Sequence, residues 1–337
     1  MDEIEQVKVS IAIPVFNGEN YLAQTIDSIL GQTYDNIELI ICDNASTDRT
    51  GAISQHYANT DRRVRYVRSS RNIGLSANFN RAFELSTSKY FKWAAHDDLL
   101  APTFIEKCVA ALEREPDAVL AQPLVRMIDS HGRIVPFAEY DTYHLLKINE
   151  LPLSSLPRPS DRFEALIRQP RPCWAPFGLI RREALAKTAL IAPYLWSDVT
   201  FGAELALLGR FAIIPEELFF NRDHPARFTT TTILDRETSW RWWCMRDGPP
   251  GLLDLCPNWQ IQWNLRRIVR KHVTDRRERY RSYVFLLRHV ISPYVLSRLA
   301  FEPLAALDPR IHATGRRVRA ALSSLLHQRS RPPSPQV

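Results

Sequence analysis

Residues 7–32 read VKVSIAIPVFNGENYLAQTIDSILGQ, and the periodicity of their apolar residues changes near Asn17. The first part alternates and is rich in β-branched side chains, which is typical of a buried or half-buried strand. The second part has helical spacing and stops at Gly31. Its apolar residues are Leu22, Ile26, Ile29 and Leu30. The stretch therefore predicts a strand that leads directly into a helix.

The same alternation continues along the next part of the chain. Strand-like segments occur at 36–46, 63–69 and 89–98, and helical patterns occur at 47–58 and 74–86. Strands that alternate with helices form a mainly parallel sheet with helices on both faces. We therefore predict an α/β fold with a mainly parallel sheet flanked by helices.

Polar residues stand where three of the predicted strands end. They are Asn17, Asp43 and Asp97. In open α/β sheets the ligand crevice lies outside the carboxyl ends of the strands. We therefore expect these three residues to belong to one site.

The pattern is weaker after residue 122. A hairpin is predicted at 126–137 and a proline-rich loop at 151–160, and strand, helix and strand are predicted again over 175–224. Beyond about residue 236 the composition shifts towards Trp and Arg at helical spacing. We predict an α/β domain, a helical C-terminal region and a disordered tail, at residues 1–235, 236–328 and 329–337.

The distribution of charge and of cysteines indicates the cellular compartment of the protein and the surfaces that it could bind. The formal net charge is +7, and residues 266–281 carry many of the arginines. This basic stretch fits a solvated helix face, an anionic membrane surface or nucleic acid. The five cysteines are scattered without C-x-x-C spacing, and the sequence has neither a signal-peptide pattern nor a long apolar run. These features predict a cytoplasmic protein and leave peripheral contact with the inner face of the membrane open.

Two neighbouring carboxylates, Asp97 and Asp98, follow an apolar run. The glycine-rich phosphate loops G-x-G-x-x-G and G-x-x-x-x-G-K-[ST] do not occur in the sequence. A divalent cation held by the two carboxylates would neutralise a diphosphate instead. Adjacent side chains of an extended chain point to opposite sides, so one would bind the metal directly and the other through water or a hydroxyl. The alternative is that an aspartate or Thr103 caps the following helix.

Three segments together resemble the family 2 glycosyltransferases of the GT-A fold, and the likeness covers about residues 7–235. They are SIAIPVFNGENYLAQTIDSILGQTYDNIELIICDNASTD, RNIGLSANFNRAF and AAHDDLLAP. The resemblance implies an inverting enzyme that moves a sugar from a nucleoside-diphosphate sugar to an acceptor hydroxyl with Mn²⁺ or Mg²⁺. It further implies a role in the synthesis of cell-surface polysaccharide or glycolipid.

The resemblance also assigns donor-binding residues. Pro14, Phe16 and Asp43 would line the base pocket. Asp43 would accept a hydrogen bond from a pyrimidine N–H, which favours a UDP- or dTDP-sugar. The other residues assigned to the donor are Asn17, Glu19, Asn72, Asp97 and Gly178. The alternatives are that Phe16 is a core residue and that Asp43 caps a helix starting near Ser46.

The family's metal motif, D-x-D-D-x-x-x-P, is incomplete because Ala95 replaces its first aspartate. Asp97 is therefore the first predicted metal ligand and Asp98 the second. His224, in the segment FNRDHPARFT, is carried over as a further metal ligand or a diphosphate contact. Imidazole together with carboxylates suits Mn²⁺ as well as Mg²⁺.

The family's catalytic base is an aspartate that follows a glutamate and precedes a glycine by about eleven residues. Asp198 has this spacing to Gly209, while Ser197 replaces the glutamate. The resemblance therefore predicts that Asp198 takes the proton of the acceptor hydroxyl. The alternatives are that Asp198 caps the helix that follows it and that Glu204 is the base.

Two other functions remain open from the sequence. Replacement of two family acids by Ala95 and Ser197 allows a catalytically inactive nucleotide-sugar-binding protein. The basic C-terminal stretch allows a nucleic-acid-binding protein, but the aromatic residues cluster in WRWWCM instead of alternating with the arginines, so no nucleic acid is expected. The predicted partners are the nucleotide-sugar donor and a glycan or lipid-linked acceptor. A homodimer and a membrane contact through the C-terminal region remain open.

Overall fold

The computed structural model describes residues 7–135, 152–168, 174–227, 240–241, 243–244 and 250–307. Within these residues an eight-stranded sheet has the order β3-β2-β1-β4-β7-β6-β8-β5. The strands are β1 (Val9–Val15), β2 (Ile37–Asp43), β3 (Val64–Arg68), β4 (Tyr90–Trp93), β5 (Leu99–Leu100), β6 (Ala118–Ile128), β7 (Leu179–Arg181) and β8 (Arg210–Arg222). The predicted tail at 329–337 lies outside the described residues.

Helices cover both faces of the sheet. They are α1 (Leu22–Leu30), α2 (Thr50–Thr60), α3 (Leu75–Glu84), α4 (Phe104–Arg114), α5 (Pro159–Arg168), α6 (Arg182–Leu185), α7 (Ser197–Leu208), α8 (Pro257–His272), α9 (Arg276–Val290) and α10 (Pro293–Leu307). Short 3₁₀ turns lie at Pro152–Ser154 and Ala175–Phe177. The predicted α/β fold is confirmed.

The first strand shows how the sequence builds the two layers. Successive side chains of a strand point to opposite faces of the sheet. Ile11 therefore packs in the core that contains Ile26 of α1, while Ala12 packs in the core that contains Phe83 of α3. Strand β1 pairs in parallel with both β2 and β4, and β2 pairs in parallel with β3. The carboxyl ends of these four strands consequently meet at one edge.

Two local predictions are refined by the structure. The strand predicted at 89–98 ends at Trp93, so Asp97 and Asp98 lie in the turn before β5. The hairpin predicted at 126–137 is confirmed over its described part, because Ile128 and Ile134 form an antiparallel bridge around the turn. Strand β5 pairs antiparallel with β8, and this pairing fastens the turn to β8.

The C-terminal helices pack on the α/β domain. Ile261, Leu265 and Val269 of α8 are buried in the same core as Phe201 of α7 and Phe163 of α5. None of the helices in the described ranges is by itself long and apolar enough to cross a membrane. Taken together, Arg276–Val290 and Pro293–Ala306 have the length and composition of a span, but the two helices are bent by 67°.

Candidate active site

A cleft of about 530 Å³ lies at the carboxyl ends of β1, β2 and β4 and extends to the start of α7. Eight of the eleven residues predicted for the site line it. These are Pro14, Phe16, Asn17, Asn72, Asp97, Asp98, Asp198 and His224. The other three, Glu19, Asp43 and Gly178, are not among its lining residues. Most of the predicted residues therefore lie together in one cleft, and their predicted contacts with a donor stay predictions.

Two polar residues after β1 tie its loop to the loop after β2. Asn17 has a left-handed backbone with φ of 53°, and its Oδ1 accepts a hydrogen bond of 2.8 Å from the Thr47 backbone N–H. The carboxylate of Glu19 accepts a 2.9 Å bond from the backbone N–H of Arg49 and pairs with its guanidinium. These bonds hold the rim of the cleft in place. The predicted donor contacts of Asn17 and Glu19 stay predictions.

Asp43 is fully buried at the end of β2 and its oxygens have partners inside the protein. Oδ1 accepts from the Ser46 backbone N–H at 2.8 Å, and Oδ2 accepts from the Tyr66 hydroxyl at 2.7 Å and from Arg68 at 3.3 Å. Helix α2 begins only at Thr50, so Asp43 does not cap it. A nucleobase would have to share these acceptors, and the base contact assigned to Asp43 stays a prediction.

Three asparagines line the cleft beside Asp43, and the prediction missed two of them, Asn44 and Asn78. Asn44 donates to Oδ1 of Asn72 at 2.8 Å, which orients both amides. Asn78 donates to the Cys42 carbonyl at 2.9 Å, while its buried Oδ1 has no hydrogen-bond partner. A buried acceptor without a partner costs about 1–3 kcal/mol. A ligand N–H at this position would remove that cost.

Asp97 and His224 form a pair at the centre of the cleft. Oδ2 of Asp97 and Nε2 of His224 lie 3.0 Å apart, although β8 and the turn before β5 are far apart in sequence. Burial works against the ionised form of Asp97, but its electrostatic interaction with His96, its hydrogen bond with His224 and the charge of Arg227 outweigh burial and lower its pKa. The Tyr21 ring packs against His224 with ring centres 4.8 Å apart. Asp97 therefore stays ionised and held in one orientation.

Asp98 has a different environment from its neighbour. Its Oδ1 accepts from the side-chain amide of Asn221 and from the backbone N–H of Arg222, both at 2.9 Å. Burial, and then the charge of Asp97, raises the pKa of Asp98. Helix α4 begins at Phe104, several residues beyond either aspartate, so neither one caps it. Asp98 therefore fastens the turn to β8, and both aspartates line the cleft.

The residues at the centre of the cleft fit a divalent cation that also contacts its substrate. Among the described residues no group of three or more His, Cys, Asp and Glu side chains could hold a metal ion by itself. Mg²⁺ sites, however, commonly use one or two carboxylates and complete the shell with phosphate oxygens and water. Ligands on adjacent corners of such an octahedron lie about 3 Å apart. Asp97 and His224 have this separation.

Asp198 lies in the first turn of α7, half-buried, and lines the cleft. The capping position is occupied by Trp196, whose φ is 66°, so the alternative that Asp198 caps α7 is wrong. The rival base Glu204 is buried away from the cleft. Its carboxylate accepts from His272 at 2.6 Å and from the Ala189 backbone N–H at 2.9 Å. Of the two acids, only Asp198 lines the cleft.

Gly178 serves packing between strands. A Cβ on this residue would lie 2.4 Å from Leu120 Cδ1 and 2.8 Å from the Ala121 carbonyl oxygen. The glycine is therefore required for the approach of β7 to β6, and its predicted contact with the donor stays a prediction. Its neighbour Phe177 lines the cleft and accepts a hydrogen bond from the buried Lys92. Burial lowers the pKa of Lys92 to about 7.

The cleft also contains aromatic and cationic residues that the prediction did not assign. They include Tyr21, Trp174, Trp196, Arg227 and Trp243. Arg227 donates to Oδ1 of Asn221 at 2.8 Å, which places its positive charge near Asp97. Trp243 belongs to the WRWWCM cluster, and this clustering was the only signal of it in the sequence.

Comparison with known proteins agrees with the geometry. The family model described as Glycosyl transferase family 2 matches residues 10–187. The Putative glycosyltransferase EpsE of Bacillus subtilis is 41% identical over 134 residues, which cover 38% of this chain and 48% of the relative. An Uncharacterized glycosyltransferase of Haemophilus influenzae is 33% identical over 220 residues, covering 64% and 65% respectively. An Uncharacterized glycosyltransferase of Rickettsia felis is 34% identical, and only 24% of its length is matched. The chain thus spans between about a quarter and two thirds of the length of these curated relatives.

Solved structures share the fold. Residues 1–349 of TarS from S. aureus, in complex with UDP, superpose with a TM-score of 0.54 at 15% identity, covering 91% of this chain and 82% of that one. The mannosyltransferase PcManGT from Pyrobaculum calidifontis, in complex with GDP-Man and Mn²⁺, has a TM-score of 0.52 at 15% identity, with coverages of 90% and 87%. At this level of identity the likeness establishes the architecture alone.

Proposed function

The chain belongs to glycosyl transferase family 2, and we propose from this premise that it is an inverting glycosyltransferase. In this proposal it moves a sugar from a nucleoside-diphosphate sugar to an acceptor hydroxyl. One observation carries the proposal: the ionised Asp97, paired with His224, and the carboxylate of Asp198 line the same cleft. Asp97 and His224 fit the diphosphate end of a donor, and the carboxylate of Asp198 fits the hydroxyl of an acceptor.

The proposed reaction needs one proton transfer and one displacement. The acceptor oxygen attacks the anomeric carbon of the sugar as Asp198 takes the hydroxyl proton. The bond between that carbon and the diphosphate oxygen breaks, and the diphosphate leaves with the electron pair. Attack from the side opposite the leaving group inverts the configuration at the anomeric carbon.

Asp97 and His224 would hold a divalent cation, with Asp98 fixing the turn that carries Asp97. When bound, Mg²⁺ or Mn²⁺ supplies positive charge that neutralises the diphosphate. Arg227 lines the same part of the cleft and adds a second positive charge. The ring of Tyr21 packs against the imidazole of His224 and also contacts the guanidinium of Arg222, which lies 4.6 Å from the centre of the Tyr21 ring. These contacts keep the imidazole in place.

For the donor we favour a UDP- or dTDP-sugar. The free acceptor on Asn78 suits the ring N–H of uracil or thymine, and Asn44 and Asn72 supply oriented amides beside it. The TarS structure contains UDP and the mannosyltransferase structure contains GDP-Man, so relatives of this fold bind different bases. The acceptor class, a glycan or lipid-linked saccharide in cell-surface polysaccharide or glycolipid synthesis, rests on the family resemblance. The cytoplasmic location is likewise a proposal.

A thermal-shift panel of UDP, dTDP and GDP, each with and without Mn²⁺, tests the donor proposal, because binding to the native state raises the melting temperature. We expect UDP or dTDP to stabilise the protein only with the metal. Metal-independent stabilisation would contradict the proposed role of Asp97 and His224, and preference for GDP would contradict the base assignment.

Turnover separates the enzyme from a catalytically inactive nucleotide-sugar-binding protein. A donor that binds in the thermal-shift assay should release its nucleoside diphosphate when a suitable acceptor is added. Release that is lost in Asp198→Asn supports the proposal. Binding without release across a broad acceptor panel would favour the inactive protein.

A further inference from the structure

The net positive charge of the protein comes from its C-terminal part. Residues 1–256 contain 28 Arg and Lys against 33 Asp and Glu, a net charge of −5. Residues 257–307, which form α8, α9 and α10, contain ten Arg and Lys against three Asp and Glu, a net charge of +7. A protein with such a distribution orients its helical end towards an anionic surface.

Helix α10 exposes a large apolar face. Its inward side buries Val295, Leu299 and Glu302. Its outward side carries residues that are half or more exposed, and these are Tyr294, Leu296, Phe301 and Leu304. A helix turns about 100° per residue, so these four side chains fall within one half of the helical circumference. Large apolar patches exposed on a soluble protein commonly mark a site of interaction with a protein or a membrane.

Helix α9 also has an exposed apolar row, and basic side chains lie along it. Its outward row contains Tyr280, Leu287 and, just beyond the helix, Ile291, which are 60–71% exposed. Arg277, Arg281 and Arg288 are exposed along one edge of that row. We call these outward rows of α9 and α10 the C-terminal face.

The two acids within residues 276–307 turn towards the protein. Glu278 accepts from the Ser160 backbone N–H at 3.2 Å and pairs with Arg281, and its side chain is only 17% exposed. Glu302 is buried and accepts from Asn258 of α8. The outward charge of the C-terminal face is therefore positive.

Tryptophans border the same region. Trp259 and Trp263 of α8 are 46% and 66% exposed. The ring N–H of Trp259 donates to the Leu299 carbonyl at 2.9 Å, so this ring lies against α10. Tryptophan combines an apolar ring with one polar group and favours the interface between water and lipid.

Helix α10, which carries part of the C-terminal face, contacts a residue of the cleft. The guanidinium of Arg298 in α10 lies 5.9 Å from the ring centre of Trp196. Trp196 lines the cleft and is separated from Asp198 by a single residue. A surface that binds the C-terminal face would therefore lie near the side of the cleft where the acceptor enters.

We propose that the C-terminal face docks on the surface of an anionic lipid bilayer. Apolar and aromatic side chains enter the headgroup region while the flanking arginines contact anionic headgroups, as in other interfacial helices. The acceptor is accordingly one attached to a lipid, and this last statement rests on the proposed glycosyl transfer.

Co-sedimentation of the full chain with vesicles tests the docking. The vesicles contain phosphatidylcholine alone or phosphatidylcholine with about 30% phosphatidylglycerol, at low and high salt, because screening weakens surface electrostatics. We expect pelleting with the anionic vesicles at low salt and much less with neutral vesicles. Arg277→Gln combined with Arg288→Gln should weaken partitioning about thirtyfold, since each basic residue near an anionic surface contributes roughly fivefold.

Variants of the exposed apolar residues test whether these side chains contribute to vesicle binding. Tyr294→Ser, Phe301→Ser and Leu304→Ser combined should lower partitioning by at least about tenfold. Ile134→Ser is the matched control, because Ile134 is 56% exposed on the α/β domain and should leave partitioning unchanged. The UDP-induced rise in melting temperature of each variant checks its fold and its donor site independently of the vesicles.

Three results would overturn the docking proposal. In the first, the wild-type chain stays in the supernatant with anionic vesicles. In the second, the triple apolar variant pellets like the wild type. In the third, the wild type does not bind vesicles and is a dimer in light scattering, whereas the triple apolar variant is a monomer. The last result would assign the C-terminal face to a second copy of the chain. A wild-type protein that does not bind UDP would instead contradict the proposed function, and the vesicle result would still decide whether the C-terminal face docks on a membrane.

Discussion

Replacing Asp198 with asparagine separates catalysis from folding. The substitution keeps the size of the side chain and removes its ability to take a proton. Asp198 lies in the first turn of α7, and the capping position belongs to Trp196. The helix therefore does not depend on the Asp198 carboxylate for its start.

The expected effects on stability and on rate differ widely. Loss of a negative charge from the first turn of a helix costs about 0.3–1 kcal/mol. Unfolding entropy of about 2.1 cal/mol/K per residue gives about 0.7 kcal/mol/K for this chain, so the melting temperature should fall by only about 1 °C. Loss of a general base lowers turnover by about 10²–10⁴-fold. That corresponds to about 3–5 kcal/mol in the barrier.

The assay measures release of nucleoside diphosphate with acceptor present and, separately, the donor affinity. Asp161→Asn is the matched control, because Asp161 also lies in the first turn of a helix, α5, and does not line the cleft. We expect full activity in the control and unchanged donor affinity in both variants. Turnover of Asp198→Asn within about threefold of the wild type would refute a role in general-base catalysis.

Four further predictions follow from contacts in and around the cleft. Asp97→Ala should abolish the metal-dependent part of UDP binding, measured by titration with Mn²⁺ and with EDTA; equal affinity in both conditions would refute its role as a ligand. Asn78→Ala should weaken UDP binding about two- to tenfold, the range for one neutral hydrogen bond, whereas unchanged affinity would show that its free oxygen is not used. Gly178→Ala should lower the melting temperature by about 1–4 °C, from an overpacking cost of about 1–3 kcal/mol. Gly251→Ala is its control, because the nearest contact of the added Cβ is an ordinary 3.4 Å; an unchanged melting temperature in Gly178→Ala would contradict the packing role, and a loss of UDP affinity would support the predicted donor contact. Glu204→Gln should lower the melting temperature by about 4 °C near neutral pH, from a cost of about 3 kcal/mol for breaking a buried pair. Burial opposes ionisation of Glu204, but His272, Ala189 and Lys271 outweigh it and lower its pKa below the ordinary 4.5. Its stabilising effect is therefore complete above pH 4.5 and is lost as the pH falls further, so the melting temperatures of wild type and variant should converge in acid; a constant difference would refute this account.

The edge of the sheet that carries the site could be predicted from the sequence because it follows from local patterns. Alternating strands and helices define parallel strands, and their carboxyl ends meet at one edge. Asn17 and Asp97 follow such strands and line the cleft. The family resemblance assigned Asp198 and His224, and these residues also line the cleft. Neither of them follows from periodicity alone.

Side-chain direction could not be predicted, because it depends on distant partners. Asp43 lies at the carboxyl end of β2, at the same edge of the sheet as the other site residues. Its carboxylate, however, accepts hydrogen bonds from Tyr66 and Arg68 of β3 and is buried there. Glu204, the alternative base, lies on the same helix as Asp198 but is buried away from the cleft. Its partner His272 lies 68 residues further along the chain. No local pattern connects the two positions.

Helix α7 links the cleft to the C-terminal region in two places. Near its start, Trp196 lies beside Arg298 of α10 and lines the cleft next to the turn that carries Asp198. Two turns later, Glu204 is held by His272 and Lys271 of α8. The orientation of the helix that carries the proposed base therefore depends on contacts with helices outside the α/β domain. Because α8 buries its apolar side chains in the same core as α7, the helical region belongs to the framework of the site and is more than an appendage to it.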